Sequence, residues 1–489
     1  MNQLPITFET KDFIGVAILL AATGVTTGAL LVSQRLRELA LFAMIAGAVL
    51  SERLSINFYG AYWYRGTTRG FEITFVDILG LGLLLSTLLL PRHERLRWYW
   101  PAGLAPMLLF LLYAAASVLF ASPKIFGAYE LSKLLRGFMF FFAAAFFIRR
   151  ERELSILVLA LSCAVFLEGA GSLRQRYLEG IYRVTGTLDH PNSLSMYLCL
   201  VTPVLVAAGA STLPAWVRRC CWLAVGTAAI TVMLTLSRAG IPAFGLAAGG
   251  AVAWCCSWRI TFQKIAVAAL VALGLTVVVW KSWDLLAARY GSASLEEEYL
   301  DDKSEGRGYY FRQAEVILAD KPFGVGLNNW SYWVSRKYGA ELDMRYETYD
   351  DITFAPPNDL LPMYRYAAPA HNLGVLTAGE LGWAGLAVFS LLWLRWLQLG
   401  ARFLRSHRVA GALHRLGVGL FFGCLGVFLQ SQTEWTFRQT QIFLTFHLLA
   451  GVIASLHHER RTAGSLALEE PEPAEELADE PSLAEPVEI

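Results

Sequence analysis

Charged residues are scarce in this chain of 489 residues, and their scarcity excludes most classes of soluble protein. Lys, Arg, Asp and Glu make up 17% of the sequence and hydrophobic residues 55%, whereas a soluble domain typically carries about 25% charged residues. The mean hydropathy is positive, at +0.45. We therefore expect an all-α, polytopic membrane protein with membrane lipids as partners.

Two further shortages argue against a nucleic-acid partner and a cysteine-based site. The formal net charge is only +1, whereas nucleic-acid binding requires a basic excess or stripe. All seven cysteines lie in or beside apolar runs, and the pairs Cys220-Cys221 and Cys255-Cys256 lack the two-residue gap of zinc and redox motifs. We expect small buried thiols, with no disulfide framework, metal or cofactor.

Long apolar runs occupy most of the chain, and a transmembrane helix needs about 20 such residues. We predict about 12 or 13 transmembrane helices. The candidate spans lie near residues 13–33, 39–56, 73–90, 102–121, 132–148, 154–173, 193–211, 219–236, 239–258, 264–280, 371–394, 413–430 and 440–456.

Short basic loops predict the orientation. If the spans alternate, the basic loops all fall on one side, which the positive-inside rule makes the cytoplasm of a bacterial inner membrane. The opposite side, with the N-terminus, is then periplasmic in a Gram-negative cell. The loops are residues 92–97, 149–152, 218–219, 259–264, 395–408 and 457–461.

One long polar segment, residues 281–370, divides the predicted bundle. We expect it to form a large, partly helical periplasmic loop between two parts of the bundle, residues 1–280 and 371–458. Residues 459–489 are predicted to be a disordered, acidic cytoplasmic tail, since the chain has no Lys or Arg from Glu469 onward and cannot bury a core there.

Two candidate site residues fall at the predicted outer ends of helices. His371, in Ala370-His371-Asn372, titrates near neutral pH and is a candidate base for a hydroxyl proton. The alternative is that His371 and Asn372 only cap a helix. Arg238 lies in a short turn between spans, where its fixed donors suit a phosphate or diphosphate. Alternatively, it only reaches the lipid headgroups.

Two other segments on the same side add candidates. Arg307 and Arg312 fall on a helix-like stretch before Gly324-Val325-Gly326, a turn that lacks the Lys-Ser/Thr of a nucleotide P-loop. A solvated amphipathic helix is the alternative. His190, in His190-Pro191-Asn192, is a candidate second base, although Pro and Asn here are also ordinary helix-start signals.

Two acids lie inside predicted spans, Glu168 and Glu380. Intramembrane acids are usually functional or paired, but the sequence names a partner for neither. Glu380 follows His371 by about 13 Å along a helix, which is too far for both to contact one hydroxyl.

In their order along the chain, these motifs resemble the O-antigen ligase and polymerase superfamily of bacterial membrane glycosyltransferases. The resemblance covers roughly residues 180–390, with Phe311 standing where the family often has Trp. It is carried by Gly186-Thr187-x-x-His190-Pro191-Asn192, Ser237-Arg238, Asp320-x-Pro322-x-Gly324-Val325-Gly326 within the 307–329 stretch, and Ala370-His371-Asn372 followed by Glu380-Leu381-Gly382.

The resemblance implies an enzyme that takes a glycan from a polyprenyl diphosphate carrier and joins it to a sugar hydroxyl, without a metal and with inversion at the anomeric carbon. The acceptor is a lipid A core or a growing glycan. His371 is implied as the base, with Arg238 and Arg307 on the donor diphosphate and Arg312 as a further candidate.

Three functions remain open from the sequence. A ligase and a repeat-unit polymerase both need a diphosphate clamp and a base, so the motifs do not separate them. A transporter or flippase of lipid-linked sugars would instead show broken helices, symmetric repeats and charged residues at the bilayer midplane.

Overall fold

The structure, a computed structural model, describes residues 10–61, 63–90, 98–257, 308–344, 346, 366–405 and 411–469, with isolated positions between 265 and 291. Its helices are α1 (Thr10–Val32), α2 (Gln34–Gly47), α3 (Phe75–Leu89), α4 (Leu104–Phe120), α5 (Lys124–Phe147), α6 (Glu151–Tyr177), α7 (Pro191–Gly209), α8 (Ala215–Leu234), α9 (Gly240–Cys255), α10 (Gly308–Asp320), α11 (Trp330–Trp333), α12 (Leu373–Leu404), α13 (Ala412–Ser431) and α14 (Thr440–Glu469). Strands β1 (Ser55–Phe58) and β2 (Phe71–Thr74) form one antiparallel pair.

The all-α, multi-pass prediction is confirmed. Seven helices of the described residues are long and apolar enough to cross a membrane, namely α1, α6, α7, α8, α12, α13 and α14. Helices α3, α4 and α9 are apolar but shorter, and α2 and α5 also coincide with predicted spans. The span predicted at 264–280 lies outside the described residues, apart from isolated positions.

Three boundaries differ from the sequence prediction. Helix α2 ends at Gly47 and the chain turns into strand β1, so the span predicted at 39–56 is cut short before the charged pair Glu52-Arg53. Helix α5 begins at Lys124 rather than near 132 because its charged residues are paired inside the protein. Helix α14 continues to Glu469, since no proline interrupts it before Pro471. The tail predicted from 459 therefore begins inside a helix, and residues 470–489 lie outside the described residues.

Helix α7 forms the centre of the bundle, where it packs against α8, α9 and α13. All of its residues are buried. Glycines let α13 approach it closely: a Cβ at Gly419 would lie 2.5 Å from the Pro203 carbonyl oxygen, and one at Gly423 would lie 2.3 Å from that of Leu200. This spacing of small residues brings helix backbones together in membranes.

The two ends of the bundle differ in chemistry. At one end, which we term the basic end, Arg152 pairs with Glu38 at 2.7 Å and Arg149 with Glu459 at 3.2 Å. The basic loops 149–152 and 218–219 and the described parts of 395–408 and 457–461 lie there. At the opposite end, termed the site end, the loops after α2, α6, α8 and α13 meet the start of α12.

The described part of the long polar segment packs as a cap on the site end. Trp330 is 1% exposed and packs in an apolar cluster with residues from α10 and the start of α12. Tyr332 belongs to a second cluster with aromatic side chains from α5 and the β1–β2 connection. Arg65 of that connection donates to the Tyr366 carbonyl oxygen at 2.7 Å. These aromatic residues therefore help form the packed cap.

Candidate active site

His371 and a buried carboxylate form the centre of the candidate site. His371 Nδ1 lies 2.9 Å from Glu434 Oε2, and the side chains are 31% and 1% exposed. Glu434 belongs to the short loop between α13 and α14. When Glu434 is ionised it accepts the Nδ1 proton, which leaves the lone pair of His371 on Nε2. The pair can therefore present a base to a substrate hydroxyl.

Asn192, at the start of α7, joins this pair to the turn that carries Arg238. Its Nδ2 donates to Glu434 Oε1, while its Oδ1 accepts from Ser237 Oγ at 2.8 Å and from Arg183 Nη2 at 3.0 Å. A continuous chain of hydrogen bonds thus runs from Ser237 to His371. It connects four segments that are far apart in the sequence.

Arg238 follows Ser237 in the turn between α8 and α9 and is half-buried. The Ser237 hydroxyl accepts from the Gly240 amide at 3.1 Å as well as donating to Asn192, so the turn is fixed from both sides. The backbone that carries Arg238 is therefore fixed by the same hydrogen-bond network that includes Asn192.

The third predicted segment is brought to His371 by helix α10. The rings of Tyr310 and His371 are 5.5 Å apart between centroids, which places the first turn of α10 beside the imidazole. Arg312 lies on the same helix and is exposed. Arg307 lies outside the described residues.

Asn372 and His190 both cap helices. Asn372 Oδ1 accepts from the Val375 amide at 3.0 Å, and its Nδ2 donates to the Gln432 carbonyl oxygen at 2.6 Å. The second bond ties the start of α12 to the loop of Glu434, which aligns His371 with its partner. His190 is the N-cap of α7, and its Nδ1 accepts from the Asn192 amide at 3.2 Å. The capping alternatives raised by the sequence therefore describe both residues.

The acid Glu380 has an ion-pair partner that the sequence did not name. Arg438 Nη1 lies 2.6 Å from Glu380 Oε2, and Arg438 Nε lies 3.0 Å from Glu130 Oε1. Lys133 Nζ is 2.9 Å from Glu130 Oε2. Although burial alone would lower the pKa of Arg438, the two carboxylates raise it. This charge cluster cross-links α5, α12 and the loop before α14.

The acid Glu168 is also satisfied locally. Its carboxylate accepts from the Thr187 amide at 2.8 Å and from the Thr187 hydroxyl. It therefore supports the 186–190 segment that leads into α7, and thereby the position of Asn192.

The Gly-rich turn after α10 forms hydrogen bonds with α12 at a point where that helix is interrupted. Gly382 has φ +70° and ψ −176°, so the helix is interrupted there. The amides of Val325 and Gly326 donate to the carbonyl oxygens of Gly379 and Glu380 at 3.0 and 2.8 Å. The turn thus satisfies carbonyls that the interrupted helix leaves open, as buried non-helical backbone in a membrane requires.

A pair of carboxyl groups lies beside the start of α7. Burial raises the pKa of Glu52 to about 8, aided by its hydrogen bond with Asp189 and by the charges of Asp189 and Glu72. Arg53 secures the same segment by donating to the Thr187 carbonyl oxygen at 2.7 Å. Among the described residues, no group of three or more His, Cys, Asp or Glu side chains has the arrangement of a metal site.

The middle of the chain matches a known protein family. Residues 223–390 match the family model described as O-Antigen ligase. This segment belongs to the O-antigen ligase superfamily. The resemblance inferred from the motifs is thereby confirmed, and the matched segment contains Arg238, His371 and Glu380. A comparison with curated proteins finds no match.

The O-antigen ligase segment does not contain every residue of the hydrogen-bond chain. Asn192 precedes it and Glu434 follows it. The sequence signalled Asn192 as a helix-start residue and as the last residue of the Gly186-to-Asn192 motif. It gave no signal for Glu434 beyond its place in a short loop on the same side as His371. Arg183 and Arg438 were also missed, because a single charged residue in a loop belongs to no motif or periodic pattern that would indicate its role.

Proposed function

We propose that this chain is an O-antigen-ligase-type glycosyltransferase. It moves a glycan from a polyprenyl diphosphate carrier to a sugar hydroxyl on a lipid A core or another glycan. The observation that carries the proposal is the hydrogen bond between the accessible His371 and the buried Glu434, beside an arginine-bearing turn within the O-antigen ligase segment.

In the proposed reaction, His371 Nε2 removes the proton of the acceptor hydroxyl while its oxygen attacks the anomeric carbon. The bond between that carbon and the diphosphate oxygen breaks, and the carrier diphosphate leaves with the electron pair. Arg238, Arg307 and Arg312 are assigned to the diphosphate, whose growing negative charge they stabilise. Glu434 stabilises the imidazolium that forms. A single displacement of this kind inverts the anomeric configuration, and it requires no metal ion.

The site end is assigned to the periplasmic face of a bacterial inner membrane. Support comes from the basic end, where short loops rich in arginine collect as the positive-inside rule expects for the cytoplasmic side. Several arginines of the site end contact protein groups instead, as Arg53 and Arg65 do with backbone carbonyl oxygens. Residues 281–370 are accordingly proposed as the periplasmic loop between two parts of the bundle.

The transporter alternative receives less support than the enzyme. Helix α12 is broken at Gly382 and a buried charge cluster lies near the break, which are features that a transporter would share. However, the break is closed by hydrogen bonds from Val325 and Gly326, and Glu380 and Glu130 are paired with Arg438. Both features therefore stabilise the bundle around the site. A repeat-unit polymerase uses the same chemistry as the ligase, and the two differ only in the acceptor.

A gene deletion followed by glycan profiling tests the function. Loss of glycan from the lipid A core, with the lipid-linked donor accumulating, is expected for a ligase. Loss of long polymer with single units still attached would instead identify a polymerase. Loss of both core-linked glycan and polymer, with donor trapped on the cytoplasmic face, would contradict the enzyme and favour the transporter.

Complementation with His371→Ala tests the base. This variant should bind the lipid-linked donor but transfer no glycan. The matched control is His414→Ala, near the start of α13 and about 26 Å along that helix from its end at Ser431, beyond which Glu434 lies. The control should restore the wild-type profile, and wild-type transfer by His371→Ala would rule out the base assignment.

A further inference from the structure

A cavity of about 980 Å³ lies at the basic end of the bundle, far from His371. It is enclosed by residues 99–106, the end of α12 and the end of the membrane-crossing part of α14. Five of the residues lining it are arginines, and no carboxylate side chain lines it among the described residues. The arginines are Arg395, Arg402, Arg405, Arg460 and Arg461.

Within the part of the chain that the structure describes, the basic side chains of this cavity lie close to one another. Arg402 Nη1 lies 3.2 Å from His457 Nε2, and Arg460 Nη1 donates to the Arg402 carbonyl oxygen at 3.1 Å. The nearest acid in the sequence, Glu459, pairs instead with Arg149. The buried Nδ1 of His457 has no hydrogen-bond partner within the described residues. The cavity therefore offers several donors and excess positive charge to an anion.

The position of the basic cavity indicates where its ligand comes from. Trp100 lines the cavity and is 68% exposed, and Trp98, two residues earlier, is 56% exposed. Exposed tryptophans at the ends of membrane helices mark the level of the lipid headgroups. The cavity also has the size of a small-molecule site, which is typically about 300–1,000 Å³. A ligand at this depth can keep acyl chains in the membrane.

We propose that the basic cavity binds the phosphate group of an anionic phospholipid. The planar forks of the arginines suit phosphate oxygens, and basic pockets between membrane helices are a recurrent way of holding such headgroups. The site is separate from the proposed transfer reaction and does not depend on it. Inorganic phosphate shares the recognised chemistry, so the test must distinguish the two sources.

Lipid binding to the purified full-length chain provides the test. Native mass spectrometry from mixed micelles would measure the affinities for phosphatidylglycerol and phosphatidylcholine. The wild type should prefer phosphatidylglycerol by about tenfold, because both lipids carry a phosphate but phosphatidylcholine adds a cationic choline that the arginines repel. Arg405→Gln/Arg461→Gln, which changes two exposed arginines of the cavity, should lose most of this preference.

Arg218→Gln/Arg219→Gln is the matched control, because both arginines are exposed at the basic end and neither lines the cavity. It should keep the preference, and an equal loss in this control would overturn the proposal by showing a general charge effect. Stabilisation by inorganic phosphate without a preference for phosphatidylglycerol would also overturn the lipid assignment. Should the double variant of the cavity not fold, equal wild-type affinities for the two lipids would still overturn it.

Discussion

Replacing Glu434 with Gln tests how the candidate base is oriented. Glu434 accepts one hydrogen bond from Asn192 Nδ2 and lies 2.9 Å from His371 Nδ1 on its other oxygen. Glutamine offers one accepting oxygen and one donating NH2 group. Because Asn192 Nδ2 can only donate, the glutamine oxygen must face Asn192. Its NH2 group then faces His371.

That arrangement reverses the tautomer of His371. Nδ1 becomes the acceptor and the proton moves to Nε2, where the lone pair for the substrate hydroxyl is needed. The imidazolium formed during transfer also loses its negative partner. Since a positioned base contributes about 10²- to 10⁴-fold, kcat should fall by about that factor, or roughly 3–5 kcal/mol of transition-state stabilisation. The KM for the lipid-linked donor should stay nearly constant, because Glu434 does not belong to the proposed diphosphate clamp.

The assay is glycan transfer by purified protein from a lipid-linked donor, with kcat and KM measured across pH. Glu315→Gln, at an exposed position on α10, is the control for removing one negative charge and should keep both constants. A Glu434→Gln variant whose kcat stays within about threefold of the wild type would refute the tautomer argument. A rise in KM alone would show that Glu434 serves substrate binding instead.

Three further changes have expected outcomes. Asn192→Ala removes the link between Glu434 and the Arg238 turn, so kcat should fall by about a hundredfold, the effect of a small misplacement of catalytic groups. Gly382→Ala should lower the Tm, because its backbone angles are open essentially only to glycine at a cost of about 1–3 kcal/mol and the new Cβ would lie 2.3 Å from the Pro322 carbonyl oxygen. Glu52→Gln should flatten the pH dependence of stability. Burial and Asp189 raise the pKa of Glu52 from 4.5 to about 8, so the stability that its proton provides is complete below pH 4.5 and is lost as pH rises through 8.

Each of these three changes has an outcome that would contradict the reasoning behind it. An Asn192→Ala protein with a wild-type kcat would mean that the hydrogen-bond chain is dispensable. For Gly382, the control is Gly245→Ala on α9, where a new Cβ meets nothing within 4 Å, and equal Tm values for the two variants would contradict the strain argument. For Glu52, the measurement is the Tm of the wild type and of the variant between pH 6 and 9. Parallel plots of Tm against pH would show that the Glu52 carboxyl is not protonated in the folded protein.

The membrane helices could be predicted because burial in lipid and burial in protein leave the same apolar signature. Helix α7, whose residues are all buried in the bundle, was predicted within a few residues. Helix α5 was predicted only in part, since Glu130 and Lys133 look unsuitable for a membrane until the partner Arg438 is known. The strands β1 and β2 were missed because a run of only four residues carries too little periodicity to separate a strand from the end of a span.

The candidate site could be predicted where a reactive or charged residue type stands at a predicted helix end, as His371 and Arg238 do. It was not predictable where a residue acts through a tertiary contact. Glu434 lies 63 residues after His371, and its role is visible only because α12 and α13 are antiparallel neighbours whose ends meet at the site end. Asn192 illustrates the same difficulty: its backbone begins a helix, as the sequence indicated, while its side chain joins two other segments.

The residues of the hydrogen-bond chain come from several segments, and their positions determine how much of the chain the proposed chemistry needs. The O-antigen ligase segment ends at residue 390 and supplies His371 without the carboxylate that orients it. Glu434 is fixed by the loop between α13 and α14, and Asn372 binds the same loop through the Gln432 carbonyl oxygen. Both contacts require the hairpin of α13 and α14 to pack against α12 and α7. The matched segment by itself therefore lacks two residues of the hydrogen-bond chain, Asn192 and Glu434, and helices on both sides of it supply them.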